Sequence, residues 1–405
     1  MKKIKWVAGV CSGLAAAVLT FTLTVSSAIP DEFSVVEGQG FAINSGLPIS
    51  TVSVDGLDRK AGDSYQVDVK LMGVLPVKQV NVDVVEQTMV VPCGTPFGIK
   101  MFTEGVVVVG MSSVDAEGGS INPAKEAGIQ QGDVLISIDG KECNSNQDVS
   151  DIIEHCDGKT LDVELQRKNM TFHVDLTPVK SASEGCYKLG AWVRDSSAGI
   201  GTLTFYEPNS KVFAGLGHAI CDVDTGEILP LSSGEIVSAI IGGVQPGKVG
   251  APGELRGTFK NVSDMGVLAT NGETGVYGIL DSLPCQNEAV PVAMRQQVQS
   301  GPAQIMTTIE GEEPKTYDIE IEKINFDEDS PTRNMIVHIT DPELLEKTGG
   351  IVQGMSGSPI LQNGQLVGAV THVFVNDPTR GYGIFAENML ETASGVQNEM
   401  EKEAA

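Results

Sequence analysis

Positive charge is scarce in this 405-residue chain: 27 Lys and Arg stand against 53 Asp and Glu, a formal net charge of −26. The acid excess is spread along the chain with no basic patch, so a phosphate backbone would be repelled and nucleic-acid binding is excluded as a main role. Cysteine is sparse as well. Cys11, Cys93, Cys143, Cys156, Cys186, Cys221 and Cys285 include no Cys-x-x-Cys pair and no Cys/His cluster of metal-ligand spacing. Buried, mostly free thiols are expected, with no metal and no cofactor required. Aromatic residues make up only 5% of the chain. Valine runs punctuated by Gly, Asp and Asn take their place, and these favour strands and turns over long helices. A mainly β protein is expected.

The N-terminus has its own grammar. Lys2, Lys3 and Lys5 precede a charge-free stretch from Trp6 to Pro30 that closes on the small residues Ser26-Ser27-Ala28. Basic residues, an apolar run and a small-residue end make a signal peptide. The run is also about 20 residues long, enough to cross a bilayer as a helix. Residues 1–30 are thus a signal peptide or a membrane anchor. The lysines keep that end cytoplasmic, so the rest of the chain is exported.

Residues 31–88 alternate polar and apolar positions, as in KQVNVDVVEQ from Lys78, and read as an accessory β region. Residues 89–178 carry PFGIKMF, GVVVVGM, AGIQQGDVLISIDGK, the helical NQDVSDIIEHC and two further strands. That succession resembles a PDZ domain. The resemblance implies that Phe97, Gly98 and Ile99 form a loop whose N–H groups hold the C-terminal carboxylate of a ligand peptide. Residues 186–395 are a third block of short valine- and isoleucine-rich strands with glycine turns, a length that suits two small β-barrels. Residues 396–405 are an acidic tail, expected to fray.

The chemistry centres on Gly354-Met355-Ser356-Gly357-Ser358-Pro359. A serine hydroxyl needs a base to take its proton and donors to stabilise the oxyanion. Glycines on both sides of Ser356 permit a bend that turns the N–H groups of Gly354 and Ser356 toward one point. Among five histidines, His155 and His173 fall in the PDZ-like block, while His338 and His372 lie inside strands. His218 sits in GLGHAI, where small neighbours leave the ring accessible for general-base work. A third group should orient the imidazole. Asp341, Asp222, Asp224 and Asp281 all qualify by sequence position.

GLGHAI, ITDPEL and GMSGSPI, in that order behind a PDZ-like unit and an apolar N-terminus, resemble the stage IV sporulation protein B peptidases, and so does THVFVNDPTRGYGIF from Thr371. The resemblance spans nearly the whole chain. It implies a chymotrypsin-like double β-barrel with His218 as base, Asp341 as orienting acid and Ser356 as nucleophile. Asp341 lies in the same half of the block as Ser356, whereas chymotrypsin-like enzymes ordinarily carry the aspartate in the first barrel. In such folds a strand beyond the nucleophile pairs with substrate, which points to His372, Val373 and Phe374. The implied biology is export from the forespore into the space between its two membranes, and cleavage there of a regulatory membrane protein. That cleavage releases an intramembrane protease, which activates a late mother-cell sigma factor. Members also cleave themselves near the N-terminus. Two other readings exist: a catalytically silent membrane-tethered PDZ scaffold, or a quality-control serine protease, in which the PDZ unit ordinarily follows the protease.

Overall fold

A computed structural model describes residues 18–43, 49–52, 58–168, 170–260 and 265–403. Residues 6–17 of the N-terminal apolar run lie outside these. Residues 18–27 form a helix, and among the described residues no helix is long and apolar enough to cross a membrane. Four strands follow: Glu32–Val36, Ile49–Val52, Ser64–Leu71 and Leu75–Val85. They form one sheet in the order first, fourth, third, second. Alternation in SYQVDVKL buries Tyr65, Val67, Val69 and Leu71 on one face, and the first three share a core with Phe33, Val80 and Val82.

The chain forms two barrels, and the first takes one strand, Pro96–Met111, from the 89–178 block rather than from residues 186–395. The first is built from β1 (Pro96–Met111), β2 (Ala191–Tyr206), β3 (Val212–Gly215), β4 (Leu231–Gln245), β5 (Gly266–Gly272) and β6 (Gly275–Leu280). Its pairings run β1–β2–β3–β6–β5–β4 and return to β1. The second comprises β7 (Gly301–Thr307), β8 (Lys315–Ile324), β9 (Met335–Ile339), β10 (Pro359–Gln362), β11 (Gln365–Phe374) and β12 (Asp377–Phe385). It closes as β7–β8–β9–β12–β11–β10. Counted from its own first strand, each barrel has the same order, so the double-barrel expectation is met by two copies of one topology. Inward-facing positions fill each barrel: Phe97, Ile99, Leu203, Phe213 and Ile236 in the first, Ile305, Ile319, Ile321, Val337 and Ile360 in the second. Each fully buried side chain of this size contributes about 1.5–3 kcal/mol.

The PDZ-like unit sits between β1 and β2, and both strands extend into it. Their antiparallel ladder runs from Ala191↔Met111 to Thr202↔Pro96, with irregular register near Asp195. One end of this ribbon packs over a core of Val106, Val108, Leu135, Ile138 and Val163, under the helix α1 (Asn146–Glu154). The other end is barrel wall.

This continuity corrects one expectation. Phe97, Gly98 and Ile99 are not a ligand loop. They lie inside β1 with a strand on each side: Phe97 faces Gly201 and Ser238, Gly98 faces Ile200 and Val237, and Ile99 faces Gly199 and Ile236. Ladders on both edges leave no free face for a carboxylate, and the Phe97 and Ile99 side chains are core.

The C-terminus departs from expectation too. Residues from Val396 to Glu403 continue α3 (Ala386–Glu403), the helix into which the second barrel runs. Ala393 and Val396 are buried with Val212, Ala214 and Tyr277 of the first barrel, while Asn398 and Glu399 beyond them are exposed. A further helix, α2 (Pro342–Thr348), joins β9 to the serine loop.

Candidate active site

His218 reaches its position through a strained turn. After β3 ends at Gly215, Leu216 (φ 65°) and Gly217 (φ 70°) are both left-handed, and the Gly217 N–H donates back to the Gly215 carbonyl at 2.8 Å. A buried leucine in this region costs on the order of 1 kcal/mol. The reversal sets the imidazole in the wall between the barrels. His218 Nδ1 lies 2.8 Å from the Ala219 carbonyl. A carbonyl only accepts, so the proton belongs on Nδ1 and the lone pair on Nε2. Burial holds the ring below its ordinary pKa, so it is neutral at pH 7. Ile220, two residues on, is clamped by Asn271 at the end of β5. Asn271 accepts from the Ile220 N–H at 2.8 Å and donates to the Ile220 and Leu229 carbonyls at 2.9 Å.

Ser356 enters from the second barrel, on the loop before β10. Gly354 (φ 96°) and Gly357 (φ 94°) are left-handed. At Gly357 the backbone approach is tight: a Cβ there would lie 2.1 Å from the Thr202 carbonyl and 2.5 Å from the Leu216 nitrogen. Every carbonyl from Gln353 to Gly357 is held. Gln353 accepts from the Leu255 N–H at 2.8 Å, and Gly354 from Thr202 Oγ1 at 2.7 Å. Met355 accepts from the Ser358 N–H at 2.9 Å and Ser358 Oγ at 2.6 Å. Ser356 accepts from the Thr202 N–H at 3.1 Å, and Gly357 from Thr204 Oγ1 at 2.7 Å. The N–H groups behave differently. Those of Met355 and Gly357 donate to Val352 and Val370, whereas those of Gly354 and Ser356 have no acceptor among the described residues. Both residues line the cleft between the barrels. A trans peptide points its N–H opposite its carbonyl, so anchoring the Gln353 and Met355 carbonyls aims these two donors.

The cleft has a volume of about 490 Å³ and takes apolar walls from both barrels: Ile99, Ile200 and Leu216 on one side, Ile351, Val352 and Val373 on the other. His218 and Ser356 both line it, yet no hydrogen bond joins them. Ser356 Oγ donates instead to the Thr371 carbonyl at 2.7 Å. His372 lies against His218, ring centroids 4.8 Å apart and tilted by 36°. Its Nδ1 is buried without a partner. Burial above all, then the proximity of His218 and Arg333, depresses its pKa to about 4. Phe374 stands apart from the cleft lining and packs on Tyr382 at 4.7 Å. Ser358 is fully buried and so cannot meet a substrate.

Asp341 is not brought to His218. Its carboxylate caps α2, accepting from the Leu344 N–H at 3.0 Å, and it is no part of the cleft wall. In this structure the Ala219 carbonyl occupies the imidazole position expected for Asp341. The other acids do not replace it. Asp222 is buried against Arg194 and accepts from the Asp224 and Thr225 N–H groups. Asp224 pairs with the same arginine, and the Asp281 N–H joins the Met265 carbonyl. The remaining histidines are also elsewhere: His155 on the Asp151 carbonyl, His173 on Asp162, His338 near Glu322.

A second concave surface of about 530 Å³ lies between α1 and the first residues of β2, with Val149, Ile153, Leu189, Ala191 and Val193 among its walls. β2 is paired over Ala191–Arg194 only with β1, which leaves its other edge open. At the head of this groove the Leu189 and Gly190 carbonyls accept from the Ala124 and Ser112 N–H groups, while their own N–H groups have no acceptor among the described residues. Gly190 is left-handed at φ 84°. These two free N–H groups lie some 90 residues later in the chain than Phe97-Gly98-Ile99.

Thr202, Thr204 and Asn271 went unnoticed in the sequence. The spacing of the threonines marks only a shared strand face, and their partners lie 152 and 153 residues away. Among the described residues no three His, Cys, Asp or Glu side chains gather to hold a metal ion, and the six described cysteines are free.

The family model for SpoIVB peptidase S55 matches residues 185–390, and that for the PDZ domain matches residues 95–177. Serine protease HTRA1 of Xenopus tropicalis is 45% identical over 56 residues, which is 14% of this chain and 12% of that protein. Of solved structures, the PDZ domain of the SdrC-like protein from Listeria monocytogenes shares 23% identity, covering 22% of this chain and 87% of that one, with a TM-score of 0.19. The active form of the Rv3671c protease from M. tuberculosis shares 14%, covering 49% and 74%, with a TM-score of 0.29.

Proposed function

The chain belongs to the SpoIVB peptidase S55 family and is a serine endopeptidase, and from that premise we propose that Ser356 is its nucleophile and His218 its general base. One observation carries the assignment: beside Ser356 Oγ, the N–H groups of Gly354 and Ser356 are unspent, while every carbonyl of their loop is anchored. Such fixed donors stabilise the charge that develops on a carbonyl oxygen.

In the proposed sequence Ser356 Oγ turns from the Thr371 carbonyl toward His218. Its proton passes to Nε2 as the oxygen attacks the scissile carbonyl carbon. The oxyanion rests on the Gly354 and Ser356 N–H groups. When the C–N bond breaks, the leaving amine takes the proton from Nε2, and an acyl-enzyme remains. Water then repeats the sequence, giving its proton to Nε2, and the acid leaves as the proton returns to Ser356. The Ala219 carbonyl keeps Nδ1–H in place throughout. His372 and Val373 offer the apolar wall for substrate.

The proposed setting is sporulation. The enzyme is exported from the forespore, cleaves a regulatory membrane protein to start intramembrane proteolysis and sigma-factor activation, and cleaves itself after the apolar segment. The family description and the N-terminal pattern of Lys2 to Pro30 support this reading. The open edge of β2 with the Leu189 and Gly190 N–H groups is proposed to take the C-terminus of a partner or substrate peptide by strand addition.

The test is covalent labelling with a fluorophosphonate. The wild-type chain should be labelled at Ser356, and Ser356→Ala should abolish both labelling and N-terminal self-processing. Undiminished labelling of Ser356→Ala would reject the assignment.

A further inference from the structure

The second serine of the Gly354–Pro359 run is buried, touches no substrate surface, and still makes two specific bonds. Ser358 Oγ lies 2.6 Å from the Met355 carbonyl and 2.9 Å from Thr307 Oγ1. All of Ser358 and Thr307 is withdrawn from solvent. A serine hydroxyl has one proton and a carbonyl has none. The Ser358 proton therefore goes to Met355, and Thr307 donates to Ser358. The result is a directional chain: Thr307 O–H to Ser358 Oγ, Ser358 O–H to the Met355 carbonyl, and across that peptide the Ser356 N–H, which has no acceptor among the described residues.

We propose that Ser358, backed by Thr307, is a positioning residue for the oxyanion hole, acting through the Met355–Ser356 peptide. The proposal rests on the assignment of Ser356 as nucleophile and goes beyond it. Two physical effects operate. Holding the carbonyl with both Ser358 N–H and Oγ–H fixes the plane of the peptide and therefore the direction of its N–H. A hydrogen bond to the carbonyl oxygen also draws electron density from the amide nitrogen, and a hydroxyl chain strengthens that polarisation cooperatively. The N–H becomes a better donor to an oxyanion than to a ground-state carbonyl. Loss of the chain should therefore slow turnover and leave ground-state binding alone.

The experiment compares Ser358→Ala, Thr307→Val and Thr307→Ser in the full chain. p-Nitrophenyl acetate hydrolysis gives kcat and KM separately, fluorophosphonate gives a labelling rate, and urea unfolding gives stability. Ser358→Ala and Thr307→Val should each lower kcat and labelling rate by about fivefold, the worth of one ordinary hydrogen bond, with KM unchanged. Thr307→Ser keeps the hydroxyl and should restore both rates. Thr307→Val preserves side-chain volume, so it carries the test if Ser358→Ala fails to fold. Unaltered rates in both hydroxyl-deleting variants, with Ser356→Ala silent, overturn the proposal alone. Rates that follow the urea midpoint, with Thr307→Ser no better than Thr307→Val, overturn it as well. Labelling that survives in Ser356→Ala overturns the assignment beneath it.

Discussion

At the scale of single residues, Asp341 separates what a motif can say from what a fold does with it. ITDPEL places an acid after a strand and before a proline, and the same arrangement is a helix N-cap: an extended Asp with Pro at the first helical position and its carboxylate on the Leu344 N–H. Sequence spacing could not choose between the two roles. The cap makes a distinct prediction. Asparagine caps as well as aspartate, so Asp341→Asn should retain stability and most of the labelling rate, while Asp341→Ala should cost about 1 kcal/mol in urea unfolding. If the carboxylate charge acted on His218 as well, Asp341→Asn would be as inactive as Asp341→Ala while keeping full stability. The imidazoles give a second test at this scale. His218 and His372 both have depressed pKa values in the fold, so the unfolded chain binds more protons below the ordinary histidine pKa of about 6.5. Their neutral burial is fully stabilising above that pH and is lost as pH falls toward about 4, the His372 value. His372→Gln should flatten the fall in urea midpoint between pH 6.5 and 4, and a fall as steep as in the wild type would remove His372 as its source. The acid limb of the pH–rate profile should likewise lie below 6.5, set by neutral His218.

Among the elements, the serine loop was the most legible and the PDZ loop the least. Glycines around Ser356 announced a backbone that L side chains resist, and the left-handed Gly354 and Gly357 are that backbone. The approach of Gly357 to the Thr202 carbonyl makes Gly357→Ala a severe change. It should abolish labelling and lower stability by about 2 kcal/mol or more, measured by fluorophosphonate rate and urea midpoint. PFGIKMF misled because its alternation describes a strand without saying which sheet receives it. The first half of β1 is barrel and the second half PDZ-like core, a division set by Ser238, Gly201 and other partners more than 90 residues away. Leu189-Gly190 was passed over for the same reason: two small backbone units acquire meaning only beside α1 and the open edge of β2. The barrels were foreseen as a class, yet their shared strand order is a property of pairing that no single segment carries.

In the whole molecule β2 runs along both the groove and the cleft. Ala191–Val193 edge the groove, Gly199 and Ile200 wall the cleft, and Thr202 and Thr204 brace the serine loop. Trp192 stands 66% exposed beside the groove, and the chain has two tryptophans. A peptide with a free C-terminus should change Trp192 fluorescence in a saturable way, its C-terminal amide should bind at least about tenfold more weakly, and Trp192→Phe should remove the signal. Equal binding of acid and amide would exclude Leu189-Gly190 as a carboxylate site. The insertion between β1 and β2 also bears on descent and engineering. Phe102 and Ser196 are ladder partners, so the two ends of the inserted unit lie one strand spacing apart, about 5 Å. In the second barrel the corresponding strands, β7 and β8, are joined by the short turn from Thr308 to Pro314. The whole PDZ-like unit is thus, in topology, an enlarged hairpin turn. A domain gained at such a site need not have disturbed the barrel that received it, and a two-residue Asn-Gly turn in its place would return the first barrel to the plan of the second.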